Sequence, residues 1–477
     1  MNFSDFEPVI GLEVHAELKT ATKIFCACPT AFGAPPNTLC CPVCLGLPGA
    51  LPTLNRRAVE LAVRAGLALN CEIATLSRTD RKQYFYPDLP KGYQISQDAY
   101  PICKNGGLTV TCEGGTPKRI GIARIHIEED AGKLIHREGE TLIDCNRCGV
   151  PLIEIVSMPQ LSSGAEAVAY LKALRAVLVC CGISDCRMQE GSMRCDVNIS
   201  VRQKGSEALG VRTEIKNINS FAFVEKAIRY EAERQIELLE RGETIVSETR
   251  RFDEKSGKTI RMRIKEKAED YRYLSETDLL PLCLTPSDVD RLASMLPELP
   301  YARAERMKAQ YGLADADVRI LLSDYALADY FEAAARDARH PALLGHMLLS
   351  DLLRFCESEP FSSPVSVVRL RELADLTGDR VINSATAKKL LGRLMKEDFS
   401  PTEAVEREGL AQICDRDALL LLAERAVGEM PKAVGDYRRG KAAARTALLG
   451  KMMALSSGRA DPEMGEAILL ELLNREE

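Results

Sequence analysis

Histidines and carboxylates alternate with apolar residues in two short stretches of the chain. Residues 9–18 read VIGLEVHAEL, and residues 123–130 read ARIHIEED. Successive side chains of a β-strand point to opposite faces. The side chains that would share a face are Glu13, His15 and Glu17 in the first stretch, and His126 and Glu128 in the second. Oxygen ligands suit Mg²⁺ or Mn²⁺, whereas a histidine shifts the preference toward softer metals. The two stretches therefore indicate a shared metal site.

A third stretch, PLIEIVS at residues 151–157, sets Glu154 between apolar neighbours. An ionised carboxylate in a buried strand is costly unless a cation or hydrogen bonds satisfy it. The three stretches can therefore converge on one metal ion. They can equally form structural ion pairs with Arg124, Lys133 and Arg147, and spacing alone leaves both interpretations open.

Closely spaced cysteines occur in residues 24–46, IFCACPTAFGAPPNTLCCPVCLG. A C-x-C pair and a C-x-x-C pair flank a loop with glycine and proline, as tetrahedral zinc ligation by thiolates requires. The expected ligands are Cys26, Cys28, Cys41 and Cys44. Cys40 could substitute for one of them, and free buried cysteines are the alternative. The pair Cys145-x-x-Cys148 has no second pair nearby in sequence and indicates little.

Two common phosphate-binding motifs and one nucleophile motif are absent from the sequence. It contains no GxxxxGK[ST] loop, no GxGxxG after a strand and no GxSxG nucleophile elbow. Phosphate handling would therefore depend on metal and basic side chains. Residues 78–94, RTDRKQYFYPDLPKGYQ, combine such side chains with aromatic rings that could stack a base. A solvated loop with aromatic anchors is the alternative.

Composition favours a globular protein of more than one domain. The chain has 477 residues, 46% of them hydrophobic and 28% charged, with a net charge of −6. This charge gives no overall attraction to nucleic acid, so such binding would need a local patch. No leader or membrane-spanning run is evident, and the 17 cysteines suit free thiols and metal ligands. We expect a cytoplasmic protein that does not enter a membrane.

Secondary-structure signals change near residue 290. Before it, five runs read as strands, namely Leu108–Cys112, Ile120–Ile127, Leu152–Val156, Val197–Arg202 and Val211–Ile218. Ser163 and Ser220 are expected to cap helices, the first through a capping box with Glu166. After Pro286 the pattern is helical, with segments near 302–311, 315–338, 342–357 and 365–376. We predict an α+β fold, with domains 1–290, 291–405 and 406–477.

Seven motifs in a fixed order resemble one known family along essentially the whole chain. They are VIGLEVHAEL, FYPDLPKGYQIS, RIHIEEDAGKLIH, NRCGVPLIEIVSMP, GSMRCDVNISVR, EIKNINSF and ETRRFDEKSGKTIRMRIKEKAEDYRYL. These resemble the GatB subunit of the aspartyl/glutamyl-tRNA amidotransferases, the GatB/GatE family. Cys145 and Cys148 depart from it, because an aromatic and a small residue are usual there. The resemblance implies a large mixed β-sheet cradle domain, an all-helical domain and a small helical tail.

The resemblance also implies an activity. The family converts Glu-tRNA(Gln) to Gln-tRNA(Gln), and often Asp-tRNA(Asn) to Asn-tRNA(Asn), within a heterotrimer. An amidase (glutaminase) subunit releases ammonia from glutamine, and a small third subunit ties the parts together. The GatB subunit uses ATP and Mg²⁺ to activate the tRNA-borne carboxylate as an acyl phosphate.

Residue roles follow from the same resemblance. The metal ligands implied by the matching motifs are Glu13, His15, Glu128 and Glu154, with His126 and Glu129 supporting them from behind. The residues expected to line a polar path for ammonia, or to contact phosphate, are Lys82, Lys91 and Asp196.

The tail carries a basic segment. Residues 430–460 contain a single acid, Asp436, among many lysines and arginines. Alone this would indicate a solvated basic surface, but its match to the family's C-terminal segment implies tRNA-backbone contacts. The expected residues are Arg438, Arg439, Lys441, Arg445 and Lys451.

Two other functions remain compatible with the residues. One is a zinc-containing tRNA-docking scaffold without chemistry, in which the acids form structural ion pairs. The other is a self-sufficient metallohydrolase built on the same acids.

Overall fold

The computed structural model describes residues 5–112, 116–264, 271–356, 358 and 361–474. The chain divides into two compact units, Met1–Pro300 and Tyr301–Glu477. The first combines a large mixed sheet with helices and the second is helical, which confirms the α+β class. The proposed division of the helical part at residues 405/406 stays a prediction.

The strands of the first unit alternate apolar and polar residues over much of their length. They are β1 (Phe6–Glu17), β2 (Glu72–Ile73), β3 (Leu76–Ser77), β4 (Asp80–Gln83), β5 (Tyr93–Ser96), β6 (Cys103–Val110), β7 (Lys118–Glu129), β8 (Lys133–Arg137), β9 (Glu140–Asp144), β10 (Pro151–Ser157), β11 (Met193–Gln203), β12 (Thr213–Ile218), β13 (Glu248–Asp253), β14 (Lys258–Ile264), β15 (Leu274–Ser275) and β16 (Leu282–Cys283).

In the described part of the chain, nine strands form the main sheet, in the order β14-β13-β12-β11-β1-β10-β7-β6-β2. Strands β12 and β13 run parallel, and the other neighbouring pairs within this sheet are antiparallel. Beside it, β15, β4 and β5 form a small sheet, β16 pairs with β3, and β8 pairs with β9.

Helices cover one face of the main sheet and leave the other face polar. The helices of this unit are α1 (Arg56–Ala68), α2 (Gly164–Cys180), α3 (Phe221–Glu240) and α4 (Pro286–Ala293). Leu12, Val14 and Ala16 of β1 are buried with residues of α1, α2 and α3 in one core. Because side chains alternate along a strand, Glu13 and His15 lie on the opposite face.

The predicted helix caps are present. The Ser163 and Ser220 hydroxyls accept hydrogen bonds from the backbone N–H groups of Glu166 and Phe223. The Glu166 carboxylate accepts from the Ser162 N–H, one residue before the position expected for a capping box.

The remaining helices are α5 (Pro300–Tyr311), α6 (Asp315–Leu321), α7 (Tyr325–Ala335), α8 (Pro341–Met347), α9 (Val367–Gly378), α10 (Ser384–Leu394), α11 (Pro401–Glu408), α12 (Arg416–Glu429), α13 (Pro431–Arg438), α14 (Ala442–Leu455) and α15 (Pro462–Leu473). One core extends from Met307 to Val405 and another from Leu419 to Leu473.

The expectation of one helix over residues 315–338 was wrong. Two helices, α6 and α7, occupy this range, because the Asp324 carboxylate accepts a hydrogen bond from the Ala326 N–H and caps a new helix. The expected helix at 342–357 is α-helical only to Met347, continues as a π-turn and a 3-10 turn to Phe355, and its last residue lies outside the described residues.

No helix in the described ranges has both the length and the apolar character needed to cross a membrane.

Candidate functional site

The register of the central strands brings distant acids and histidines together on the polar face. Strand β1 lies between β10 and β11, so His15 is opposite Glu154, and Glu13 is opposite Asp196. On the next strand, His126 is opposite Glu154. Residues far apart in the sequence thus become neighbours through backbone pairing alone.

The first cluster consists of His15, His126, Glu128 and Glu154, and we call it the histidine–carboxylate cluster. His15 Nε2 lies 3.2 Å from Glu128 Oε1 and 3.3 Å from Glu154 Oε2. His126 Nε2 lies 3.3 Å from Glu154 Oε2, so this residue contacts the carboxylates directly rather than from behind. One donor atom from each of His15, Glu128 and Glu154 lies within 4.8 Å of the others, a spacing compatible with one cation.

Salt bridges to arginine or lysine, the expected alternative, are not found in this cluster among the residues that the structure describes. Among the described residues, the ion pairs of Glu128 and Glu154 involve histidines only. Arg147 pairs with Asp130 instead. Two buried carboxylates that form no direct ion pair with a described lysine or arginine fit a metal site by their donor chemistry.

The pKa values of the cluster reflect the pairing of its carboxylates with histidines. Burial acts to lower the pKa of His15, but its hydrogen bonds to Glu128 and Glu154 raise the pKa to about 10. Burial likewise opposes the charge of His126, and the same carboxylates raise its pKa to about 9. Burial would raise the pKa values of both carboxyls, but the histidines hold them well below the usual range. Protons on the histidines therefore supply the positive charge that a metal ion would supply.

A second cluster lies beside the first and includes Glu13, Asp196, Glu214 and Lys216, and we call it the lysine–carboxylate cluster. Lys216 Nζ lies 2.6 Å from Asp196 Oδ2 and 3.1 Å from Glu214 Oε1. Oxygens of the three acids lie within 4.8 Å of one another. The Asn198 amide donates to Glu13 Oε1 at 2.9 Å. Glu13 is thus grouped with Asp196 and Glu214, whereas the sequence grouped it with His15.

Glu214 and Lys216 were missed in the sequence, although a signal existed. The motif EIKNINSF places Glu214 and Lys216 on either side of Ile215, so the two charged side chains share one face of the strand. In the structure both project from β12 to the polar face, where Glu214 Oε2 also accepts a hydrogen bond from the Thr249 hydroxyl at 2.9 Å.

The three residues expected to line an ammonia path have different neighbours in the structure: Lys82, Lys91 and Asp196. Burial acts to lower the pKa of Lys82, but attraction to Glu128, Tyr273 and Glu154 raises it, so this ammonium belongs to the surroundings of the first cluster. Lys91 forms an ion pair with Glu129. Asp196 belongs to the second cluster.

The Lys91–Glu129 pair lines a cavity of about 320 Å³. Other lining residues include Lys23, Cys26, Cys44 and Arg81. Glu129 also accepts a hydrogen bond from the Ile95 N–H at 2.9 Å. Its carboxylate is therefore part of the cavity wall and does not join the histidine–carboxylate cluster.

The expected zinc ligands converge in space. One sulfur from each of Cys26, Cys28, Cys41 and Cys44 lies within 4.8 Å of the others, and the cluster could hold a metal ion. Fully buried Lys23 places its Nζ 3.6 Å from the Cys44 sulfur. The thiol of Cys26, followed by a backbone N–H and Lys23, lowers the pKa of Cys44 to about 4 against the effect of burial. Cys40 is directed toward the Asn146 amide, 3.8 Å away.

The basic tail residues lie on α13, α14 and the turn between them, and acids outside the basic segment balance part of their charge. Arg445 pairs with Glu466 at 2.9 Å, and Lys451 pairs with Glu429 at 2.7 Å. Arg439 and Lys441 both contact Asp436. Arg438 is exposed at the end of α13. The local positive excess is therefore smaller than the sequence of the segment indicates.

Family models match both units. Residues 8–290 match the model described as the GatB/GatE catalytic domain, and residues 329–473 match the model described as the GatB domain.

Curated relatives match along the full length, and each is named as the B subunit of an aspartyl/glutamyl-tRNA(Asn/Gln) amidotransferase. The relative from Caldanaerobacter subterraneus subsp. tengcongensis is 48% identical over 474 residues, covering 98% of this chain and 100% of the relative. The relative from Clostridium botulinum strain Eklund 17B is 47% identical over 470 residues, covering 98% and 99%. That from Thermoanaerobacter pseudethanolicus is 48% identical over 474 residues, covering 98% and 100%.

Proposed function

Since the chain belongs to the GatB/GatE family, we propose that it activates the tRNA-borne carboxylate in a glutamine-dependent amidotransferase. The substrates would be Glu-tRNA(Gln), Asp-tRNA(Asn) or both, as the names of its relatives indicate. An amidase (glutaminase) subunit would release ammonia from glutamine, and a small third subunit would complete the heterotrimer. The reaction is that of an ATP-dependent carbon–nitrogen ligase.

The observation that carries this proposal is the histidine–carboxylate cluster, whose acids form no ion pair with lysine or arginine among the described residues. His15, Glu128 and Glu154 would hold Mg²⁺ or Mn²⁺, and His126 would orient the two carboxylates. Bound Mg²⁺ supplies charge neutralisation at the phosphates of ATP. Glu13, Asp196 and Glu214 are a candidate second cation site, in which Lys216 now supplies the positive charge.

The chemistry needs no protein nucleophile. An oxygen of the tRNA-borne carboxylate attacks the terminal phosphorus of ATP, ADP leaves, and an acyl phosphate forms. Ammonia then attacks the acyl carbon, inorganic phosphate leaves with the bonding electrons, and the nitrogen loses a proton to give the amide. Lys82, whose ammonium lies near Glu128 and Glu154, would hold phosphoryl oxygens in place.

Ammonia would reach this face along polar groups of the first unit. Lys91 and Glu129 line the cavity described above, and Asp196 lies on the polar face itself.

The cysteine cluster would bind structural zinc. Its thiolate set and the lowered pKa of Cys44 suit Zn²⁺. We expect about one equivalent of zinc in the purified protein, lost in Cys44→Ser and kept in Cys283→Ser, an exposed cysteine outside the cluster. Elemental analysis measures this, and less than half an equivalent in the wild type would contradict zinc binding.

The tail would contact the tRNA backbone through Arg438, Arg439, Lys441, Arg445 and Lys451. Arg438→Ala is expected to weaken tRNA binding. The slope of the logarithm of the binding constant against the logarithm of the salt concentration should fall by the equivalent of about one phosphate contact. Filter binding at several salt concentrations would measure both effects.

The function itself is tested in the assembled heterotrimer with Glu128→Gln. We expect glutamine hydrolysis and tRNA binding to persist while tRNA-dependent ATP cleavage and amidated tRNA are lost. If ATP cleavage persists, the chain is a docking scaffold and the acids are structural. If the chain without partners hydrolyses a substrate at the same acids, a self-sufficient metallohydrolase is the better description.

A further inference from the structure

Three tyrosines surround Lys82 at the edge of the small sheet, and we call them the tyrosine cluster: Tyr84, Tyr271 and Tyr273. Tyr84 follows β4, and the other two precede β15. The Gln83 N–H donates to the Tyr271 carbonyl at 2.9 Å, which fixes the two segments side by side. The ring centroids of Tyr84 and Tyr271 are 5.9 Å apart, and those of Tyr271 and Tyr273 are 6.2 Å apart.

Lys82 lies near both the tyrosine cluster and the candidate metal site. Lys82 Nζ lies 5.0 Å from the Tyr271 ring centroid and 5.9 Å from that of Tyr84. Among the residues that the structure describes, no carboxylate forms an ion pair with this ammonium. The positive charge is nevertheless close enough to Glu128 and Glu154 to be stabilised by them. An ammonium without a carboxylate partner, beside a metal site, suits a phosphate group.

Tyr273 also has surface to offer a ligand. The residue is 39% exposed, although its hydroxyl interacts electrostatically with Lys82 and Glu128. The preceding residue, Arg272, has a φ of +40°, a left-handed conformation that non-glycine residues rarely adopt. Such strained conformations cluster at active sites, ligand clamps and switch regions.

From this juxtaposition we infer that the tyrosine cluster is a platform for an adenine base, with the attached phosphates directed to Lys82 and the histidine–carboxylate cluster. Tyrosine rings stack on any base face, and the adjacent ammonium fixes the orientation of the phosphates. The inference rests on the proposed function, which brings two adenosines to this face: that of ATP and the 3′-terminal adenosine of the charged tRNA. Both offer the same chemistry, a purine ring next to phosphate.

The absence of tryptophan from the chain permits a direct test. Tyr273→Trp makes the full-length chain a single-tryptophan protein whose fluorescence reports stacking at this position. The probes are ATP with Mg²⁺, inorganic tripolyphosphate with Mg²⁺, and tRNA with or without its terminal adenosine. The matched control is Tyr100→Trp, because Tyr100 is 46% exposed in the same unit and contacts Arg78 rather than Lys82.

We expect saturable quenching by ATP but not by tripolyphosphate if the base is that of ATP. Quenching by complete tRNA, but not by tRNA lacking the terminal adenosine, assigns the platform to the tRNA end. The inference is overturned if neither adenosine quenches, if tripolyphosphate quenches as strongly as ATP, or if Tyr100→Trp responds equally.

A kinetic measurement in the heterotrimer keeps the inference testable if the tryptophan variant does not fold. Tyr273→Leu should raise the KM of whichever adenosine stacks by about tenfold, with kcat changed by less than about twofold, and Tyr273→Phe should restore the KM. An unchanged KM in Tyr273→Leu would contradict stacking. If tRNA-dependent ATP cleavage is normal in the wild type and these effects are missing, the platform fails and the proposed function stands. If the base stacks but no amidated tRNA forms, the proposed function fails alone.

Discussion

The histidine–carboxylate and lysine–carboxylate clusters lie side by side on one sheet face but differ in how their negative charge is balanced. In the first, Glu128 and Glu154 contact imidazoles whose charge depends on protonation. In the second, Lys216 carries a permanent charge between Asp196 and Glu214. The same backbone scaffold thus holds one cluster whose positive charge is titratable and one that contains a lysine as its cation.

If the proposed function holds, only the histidine–carboxylate cluster would depend on a bound ion. Displacing a proton from His15 is possible near neutral pH, since metal ions compete with protons for imidazole nitrogen. Lys216 offers no such exchange, because attraction to Asp196 and Glu214 raises its pKa despite burial. A cation can enter the second cluster only if the lysine moves away.

The largest expected effect compares one carboxylate from each cluster in the heterotrimer. Glu154→Gln should reduce tRNA-dependent ATP cleavage by about a hundredfold or more, because it removes one of the three proposed ligands of the metal ion. Glu214→Gln should cost about tenfold or less, since Lys216 and Asp196 remain paired. Steady-state ATP cleavage measures both, with exposed Glu140→Gln as the control. Equal losses in the two variants would remove the distinction between the clusters.

The second prediction concerns pH. The pKa of His15 is raised to about 10, so this residue is protonated across the neutral range, and a metal ion must displace its proton. Apparent Mn²⁺ affinity at the histidine–carboxylate cluster should therefore increase with pH, by about tenfold per unit for one proton. Glu128 and Glu154 stay ionised throughout because their pKa values are lowered.

Electron paramagnetic resonance of free Mn²⁺ measures this slope. His15→Gln should flatten it, because glutamine has no proton to lose in this range. A wild-type affinity that does not change with pH would place the Mn²⁺ at the lysine–carboxylate cluster instead.

The smallest expected effect is on stability. Lys216→Met leaves Asp196 and Glu214 without their cation, and the free energy of unfolding should fall by about 1–2 kcal/mol. The loss is below that of a fully buried pair because 35% of the Lys216 side chain is exposed. Thermal unfolding should show a Tm lower by a few degrees, and added Mg²⁺ should restore more stability in this variant than in the wild type. No extra response to Mg²⁺ would exclude the second cluster as a cation site.

Local patterns in the sequence predicted which side chains share a face, but not which strands meet. Alternation in VIGLEVHAEL correctly separated Glu13 and His15 from the core residues Leu12 and Val14. The pairing of β1 with both β10 and β11 depends on long-range register, which no short stretch contains. For that reason Glu13 was grouped with His15 rather than with Asp196.

Spacing served better where all partners are close in the chain. The cysteine cluster lies within residues 26–44 and was predicted completely as a group, because closing a short loop costs little conformational entropy. The tail shows the opposite limit. Glu429 and Glu466 lie outside the basic segment in sequence but pair with its cations in space, so a local charge count overestimates the positive field.

The position of β1 between β10 and β11 also restricts where insertions and deletions can occur in this part of the chain. Inserting or deleting one codon between Val9 and Glu13 would turn Glu13 and His15 toward α1, α2 and α3, and would turn Leu12 and Val14 toward the polar face. A two-residue change would keep the faces but move His15 away from Glu154 by about 7 Å, one full repeat of the strand. Length variation should therefore be confined to the loops of this unit, with β1 tolerating substitution but not insertion.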